Sequence, residues 1–317
     1  MEQKALQIGA AVLMLALLLR LASTWEWGQK ELAKTLVFFS TGRLVSETVP
    51  QRETAEPAET TLPQAPLSVP TFGEEAAALV KVNGEAVDIP ALLQAPLQWD
   101  LTTDAPTVLI LHTHASESYE KEAGYTETAP YRTLDERYNM VSVGARVTEI
   151  LEAGGVHVIH DKTIHDYPSY NDSYENSRQT IESCLAENPQ IALVLDLHRD
   201  AAENAAGDQA SYSVTINGES TANLMLVMGT DTWNLPYPNW ERNLALAVKL
   251  QAQLEQRYPG LCRPVELVES RYNQDLCDGT LLVEVGMAGN THDEALRAAE
   301  LLAEGILSLA HGANLSV

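Results

Sequence analysis

Cysteine is nearly missing from this 317-residue chain. The three present, Cys184, Cys262 and Cys277, have no CxxC spacing, which excludes a disulfide-rich scaffold and a cysteine zinc cluster. Cys262 and Cys277 are the nearest pair, so a single disulfide is the most that the sequence leaves open. Basic residues are the second shortage: 20 Lys and Arg stand against 44 Asp and Glu, a formal charge of −24. Such a surface repels phosphate backbones and anionic headgroups. That excludes duplex nucleic acid as a partner and requires any membrane attachment to be hydrophobic. No GxSxG and no Cys–His arrangement supports a metal-independent hydrolase, and no internal repeat is visible. Apolar residues are plentiful: at 45% of the chain they suffice for a sizeable core and exclude wholesale disorder.

The apolar character is concentrated first at the amino terminus. Ala5 to Leu19 carry no charge, Lys4 precedes them and Arg20 closes them. Leu21 to Trp25 extends the run to about the 20 residues that cross a hydrocarbon core. Leu21-Ala22-Ser23 is a poor cleavage signature, because a large residue stands where a small one is required. The expectation is an uncleaved transmembrane signal anchor at 1–25, with the bulk of the chain outside the cytoplasm, where a disulfide is permitted. Ser46 to Pro70 is rich in Pro, Thr and Glu and cannot bury a core, so it reads as an extended spacer. Residues 26–104 are thus a juxtamembrane segment and linker, with a short ordered helix-strand piece at Glu74–Leu97. The main domain is expected at 105–317.

Within that domain the pattern alternates. Short apolar runs at Val108–Leu111, Val156–Ile159, Ile191–Leu197, Leu224–Met228 and Leu281–Val285 read as buried strands. Segments of helical spacing at Tyr138–Ala153, Asn176–Glu187, Asn243–Tyr258 and His292–Leu309 separate most of them. This is the signature of an α/β domain with a mostly parallel sheet.

Three of the strands finish on ionisable groups. The first runs into His112-Thr113-His114, with Glu117 shortly after. The third ends in Asp196-Leu197-His198-Arg199-Asp200, and the last contains Glu284. Alternation along a strand puts His112 with His114 on one side, and Asp196 with His198. Ligands of open α/β sheets bind outside the carboxyl ends of the strands. Buried ionised groups need partners or a metal. Two imidazoles and a carboxylate with an open position form a catalytic zinc site, where the ion supplies hydroxide near pH 7 and a separate carboxylate moves the proton. His157, His160 and His165 lack the spacing of a helix-borne metal pair and read as structural. Tyr167, Tyr170 and Tyr174 read as loop packing.

The runs HTHASESY (112–119), YNMVSVG (138–144), HDKTIHDYPSYNDSYENSR (160–178), LVLDLHRDA (193–201), YNQDL (272–276) and LLVEVGMAGNTHDEA (281–295) resemble the stage II sporulation protein P family over roughly 105–310. The resemblance implies a single mostly parallel sheet with helices on both faces. It implies a membrane-anchored, Zn2+-dependent N-acetylmuramoyl-L-alanine amidase of endospore-forming bacteria, with an endopeptidase activity on cross-linked stem peptides. Its substrate is peptidoglycan, and its partners during engulfment are sporulation proteins D, a lytic transglycosylase, and M, a polytopic membrane protein. The working domain is then in the space between forespore and mother-cell membranes. Carried over residue by residue, His114, three past the first strand, is the first zinc ligand. Asp135, four before Asn139, is the second, and His198 the third. Asp135 stands where the wider amidase class has Glu, so the backbone must approach the ion more closely by about 1.5 Å. Glu117 and Glu136 are the substitutes. Glu284 is the catalytic carboxylate, and His112 and Arg199 are expected to bind substrate. The competing class is a wall-binding scaffold with a decayed site, against which intact His114, His198 and Glu284 argue.

Overall fold

The computed structural model describes residues 72–97, 100–122, 124–203, 208–231 and 236–311. All of them belong to the second of two compact units, which begins at Pro57. The expected anchor at 1–25 and spacer at 46–70 lie outside the described residues. Among the described residues no helix is long and apolar enough to cross a membrane.

In chain order the elements are α1 (Glu74–Ala77), β1 (Val82–Asn83), α2 (Ile89–Gln94), β2 (Val108–Leu111), α3 (Met140–Ala153), β3 (Val158–His160), α4 (Ser173–Glu187) and β4 (Leu193–Asp200). Then follow β5 (Ser213–Ile216), β6 (Glu219–Ala222), β7 (Leu224–Gly229), α5 (Trp240–Arg257), β8 (Val265–Val268), β9 (Thr280–Met287) and α6 (His292–Ala310). Seven strands form one sheet in the order β1-β8-β7-β9-β4-β2-β3, and β5 and β6 form a separate hairpin. Neighbours in the large sheet are parallel except β7 and β9, which are antiparallel. The α/β architecture with a mostly parallel sheet is thus as expected, with one reversal in its middle. The reversal leaves β2, β4 and β9 pointing the same way, so their carboxyl ends share one edge.

The two faces of the sheet are covered unequally. Leu193, Leu195 and Leu197 of β4 alternate into the main core with Val108 and Ile110 of β2 and with α3, α5 and α6. On the opposite face Leu109, Leu111 and Val194 meet Ile181 of α4, and Leu282 packs with Met225 and Val227. Period-two alternation then puts Asp196, His198 and Glu284 on the face carrying α4. That thinly covered face carries the site.

The fold also reaches upstream of residue 105. β1 pairs with β8, and Phe72, Val80, Leu93 and Leu101 join the main core. A strand at Val265–Val268 and the hairpin were not expected. The hairpin turns on Asn217 and Gly218, both at positive φ, the pair that a tight type I′ turn favours. All three cysteines are free thiols.

Candidate active site at the carboxyl ends of β2, β4 and β9

β2 ends at Leu111, and the chain then turns. Strand alternation therefore stops before it can put His112 and His114 on one side. His112 stays in the core, fully buried, with Nδ1 3.1 Å from the Leu197 carbonyl and Nε2 3.0 Å from His160 Nε2. Burial, together with the neighbouring His160, pulls its pKa down to about 3. Both ring nitrogens of His112, expected to contact substrate, are engaged inside the protein.

His114 is carried round to the other face. Its ring lies edge to face with His198 at 5.3 Å between centroids, stacks flat on Tyr170 at 4.4 Å and meets Tyr174 edge-on. Its Nδ1 is buried without a hydrogen-bond partner. Burial first, and then the facing His198, hold its pKa well below the ordinary value.

His198 lies on β4 in register with Glu284 on β9. Its Nε2 is 3.0 Å from Asp196 Oδ1, an ion-pair contact without hydrogen-bond alignment, and its Nδ1 is 3.7 Å from Glu117 Oε2. Burial disfavours its charge, but Asp196, Glu117 and Glu284 outweigh that and raise its pKa to about 9. Asp196 is itself fixed: Thr113 donates its N–H to Oδ1 at 2.8 Å and its hydroxyl to Oδ2 at 2.6 Å. Burial opposes ionisation of Asp196. The His198 charge and these hydrogen bonds prevail and hold its pKa at about 2. Glu284 has one oxygen, Oε2, enclosed without a partner. Its pKa is raised to about 8, chiefly by burial, with Glu117 and Asp200 adding to it against the lowering charges of His198 and Arg199.

The carboxylate beside the imidazoles is Glu117, three residues past His114, and it is 5% exposed. Arg132 and Arg199 each bring a guanidinium nitrogen to 3.6 Å from its Oε1, while Oε2 faces His198. Asp135, the expected carboxylate ligand, is engaged elsewhere in this structure. Its two oxygens accept from Arg137 Nε at 2.9 Å and Nη2 at 2.6 Å, and that hydrogen-bonded pairing holds its carboxyl at about pKa 2. The physical cause is local: an arginine two residues on captures the carboxylate in solvent. Arg199, the expected substrate binder, makes backbone contacts in this structure. It donates to the Ser118 carbonyl at 3.0 Å and to the Tyr131 carbonyl at 3.0 Å, so it braces the loop that carries Glu117.

Sequence reasoning missed Arg132, Asp166 and the position of Tyr170. Asp166 accepts from Ser116 N–H, Ser116 Oγ and Arg132 Nη1, and the Arg132 guanidinium lies 4.3 Å from the Tyr170 ring centroid. Arg132 comes from the connection between β2 and α3, Asp166 and Tyr170 from that between β3 and α4, and no spacing links the two connections.

The donor set fits a zinc-type ion in its chemistry: two imidazoles and a buried carboxylate, with His114 Nδ1 buried without a hydrogen-bond partner and His198 Nδ1 3.7 Å from Glu117 Oε2. Among the described residues, no group of three His, Cys, Asp or Glu side chains is placed so that it could hold a metal ion.

The family model described as Stage II sporulation protein P matches residues 43–307. The Stage II sporulation protein P of Bacillus subtilis (strain 168) is 32% identical over 216 residues, 64% of this chain and 51% of that protein. The chain thus spans about half the length of that curated relative. Among solved structures, N-acetylmuramoyl-L-alanine amidase AmiC2 of Nostoc punctiforme is 15% identical, covering 64% of this chain and 94% of that one, at a TM-score of 0.37. The N-acetylmuramyl-L-alanine amidase Ami1 of Mycobacterium smegmatis is 13% identical, covering 67% and 99%, at a TM-score of 0.39.

Proposed function

The chain belongs to the stage II sporulation protein P family, and from that premise we propose that it is a peptidoglycan hydrolase of sporulation. The bond proposed to be cut is the amide between N-acetylmuramic acid and L-alanine. One observation carries the reading: His114, His198, Glu117 and Glu284, from three strand ends, meet with buried polar atoms left unpaired.

His114, His198 and Glu117 are the residues that would hold zinc. When bound there, the ion supplies Lewis acidity toward a carbonyl oxygen and lowers the pKa of water. Asp196, pinned by Thr113, holds the His198 ring in orientation from behind, the arrangement that fixes metal-ligating imidazoles. Glu284 accepts the proton of the attacking water and returns it to the leaving amine. An otherwise apolar strand, LLVEVG, keeps its carboxyl near neutral pKa, suited to both transfers. Endopeptidase cleavage of stem-peptide cross-links, action during engulfment, partnership with sporulation proteins D and M, and attachment through an anchor at 1–25 outside the cytoplasm belong to the same proposal. Family membership supports them.

The test is mass spectrometry of peptidoglycan digested by the full-length protein, with metal analysis of the same preparations. Free stem peptides with an L-alanine amino terminus are expected from the wild type. Glu284→Gln is expected to retain metal and lose roughly 10²–10⁴-fold in rate, whereas Glu117→Gln is expected to lose metal. Wall material left intact by metal-loaded wild type overturns the reading.

A further inference from the structure

One cation at the site is not tied up by the backbone. The Arg199 guanidinium is bound to two carbonyls. Arg132 has one nitrogen on Asp166 Oδ2 at 2.9 Å and another 3.6 Å from Glu117 Oε1, beyond hydrogen-bond length. That leaves part of its five-donor fork uncommitted. Its side chain is 20% exposed, against 6% for Glu117 and 5% for His198. Arg132 is therefore the more outward-facing of the two guanidinium groups beside Glu117.

It is also held in place before any substrate comes. The Asp166 side chain is wholly buried and is fixed by the N–H and hydroxyl of Ser116. The guanidinium rests against Tyr170, which is stacked on His114. The residue before it, Tyr131, has φ 56°, an uncommon conformation for a bulky side chain that concentrates at functional sites. Three bonds maintain it: the Tyr131 carbonyl accepts from Ser118 N–H and from Arg199, and its N–H donates to Glu127. A donor fixed in a partly dry site is the arrangement that stabilises charge developing in a transition state.

We propose that Arg132 is a catalytic residue that donates hydrogen bonds to the oxygen of the scissile amide carbonyl as negative charge builds there; this rests on the hydrolase reading above. As the water oxygen adds to the carbonyl carbon, the π pair of the C=O bond moves to the carbonyl oxygen. It returns when the C–N bond breaks and the amine leaves with the proton relayed by Glu284. Arg132 transfers no proton and stays charged throughout.

The experiment uses the zinc-loaded full-length chain and a soluble muramyl peptide, with Arg132→Gln and Arg132→Ala. In each variant kcat, KM, zinc stoichiometry and melting temperature are measured. The affinity for the same peptide is measured by calorimetry in a Glu284→Gln background, where it is not cleaved. A kcat reduced about 10²–10³-fold is expected in Arg132→Gln. KM, zinc content and the calorimetric Kd should each stay within about threefold of wild type. Added guanidinium should restore part of the activity of Arg132→Ala. Zinc lost in step with activity would make Arg132 a brace for Glu117. A raised KM at unchanged kcat would make it a ground-state anchor. Either outcome overturns the proposal. If Arg132→Gln fails to fold, Arg132→Ala takes its place, and an unchanged kcat there overturns the proposal too. A wild type that cleaves no muramyl peptide fails the hydrolase reading itself. An active wild type with an unaffected Arg132→Gln fails only the assignment of Arg132.

Discussion

Asp196 and Glu284 sit one strand apart on the same face and are opposites in charge. Two donations from Thr113 and the adjacent His198 keep Asp196 ionised, whereas Glu284 has an enclosed oxygen with no donor at all. Asp196→Asn removes the charge that holds the His198 ring, and metal affinity is expected to fall about 10–100-fold, read by competition with a chelator. Glu284 makes a separate prediction for metal-free protein. Its pKa is about 8 in the fold against 4.5 as the ordinary value. Between those pH values the folded chain keeps a proton that the unfolded chain has released. Stability from this group therefore falls as pH rises through that window. Urea unfolding at several pH values should show that slope in wild type, and Glu284→Gln should lack its share of it. Equal slopes in the two proteins would show that Glu284 ionises as it would in water.

At the scale of elements, α3 reaches the sheet closely because Gly144 has no side chain. A Cβ there would stand 2.5 Å from His160 Nε2 and 2.6 Å from His112 Nε2. His112 cannot yield freely, since it also contacts the Leu197 carbonyl and its own carbonyl contacts His165 Nδ1. Gly144→Ala is expected to destabilise by about 1–3 kcal/mol through overpacking, visible as a lower melting temperature. α6 shows a different local device. Thr291 accepts from the Glu294 N–H, and the Glu294 side chain accepts from the Thr291 N–H, a capping box. Thr291→Ala should cost about 1 kcal/mol and leave metal binding unchanged.

On the scale of the whole molecule, the segment before residue 105 is part of the fold. The buried Lys249 of α5 donates to the carbonyls of Leu92 and Leu93. Gln251 accepts from Lys81 N–H while donating to the Arg263 carbonyl. A fragment beginning at 105 would bare the apolar surface that covers Phe72, Val80, Leu93 and Leu101, and leave Lys249 without its acceptors. Each such side chain contributes about 1.5–3 kcal/mol on burial. A fragment starting at 72 is expected to unfold at distinctly higher urea than one starting at 105. Coincident unfolding curves would mean that these contacts contribute nothing.

The alternation of apolar strand runs with helical spacing was enough, by itself, to determine the α/β class, and it placed Asp196 and His198 correctly on one face. Parity along a strand is a local rule, so it is legible wherever a strand continues. It fails one residue past the last ladder bond: β2 stops at Leu111, and His112 and His114 part to opposite faces. Which carboxylate joins the imidazoles was equally out of reach, because a nearby arginine captures Asp135 while two distant ones enclose Glu117. Arg132 and Arg199 look alike as letters. Only the folded loops decide that one guanidinium is taken by backbone carbonyls and the other is left facing the site. Hydrogen-bond partners far apart in sequence are chosen by tertiary proximity, which no residue spacing encodes.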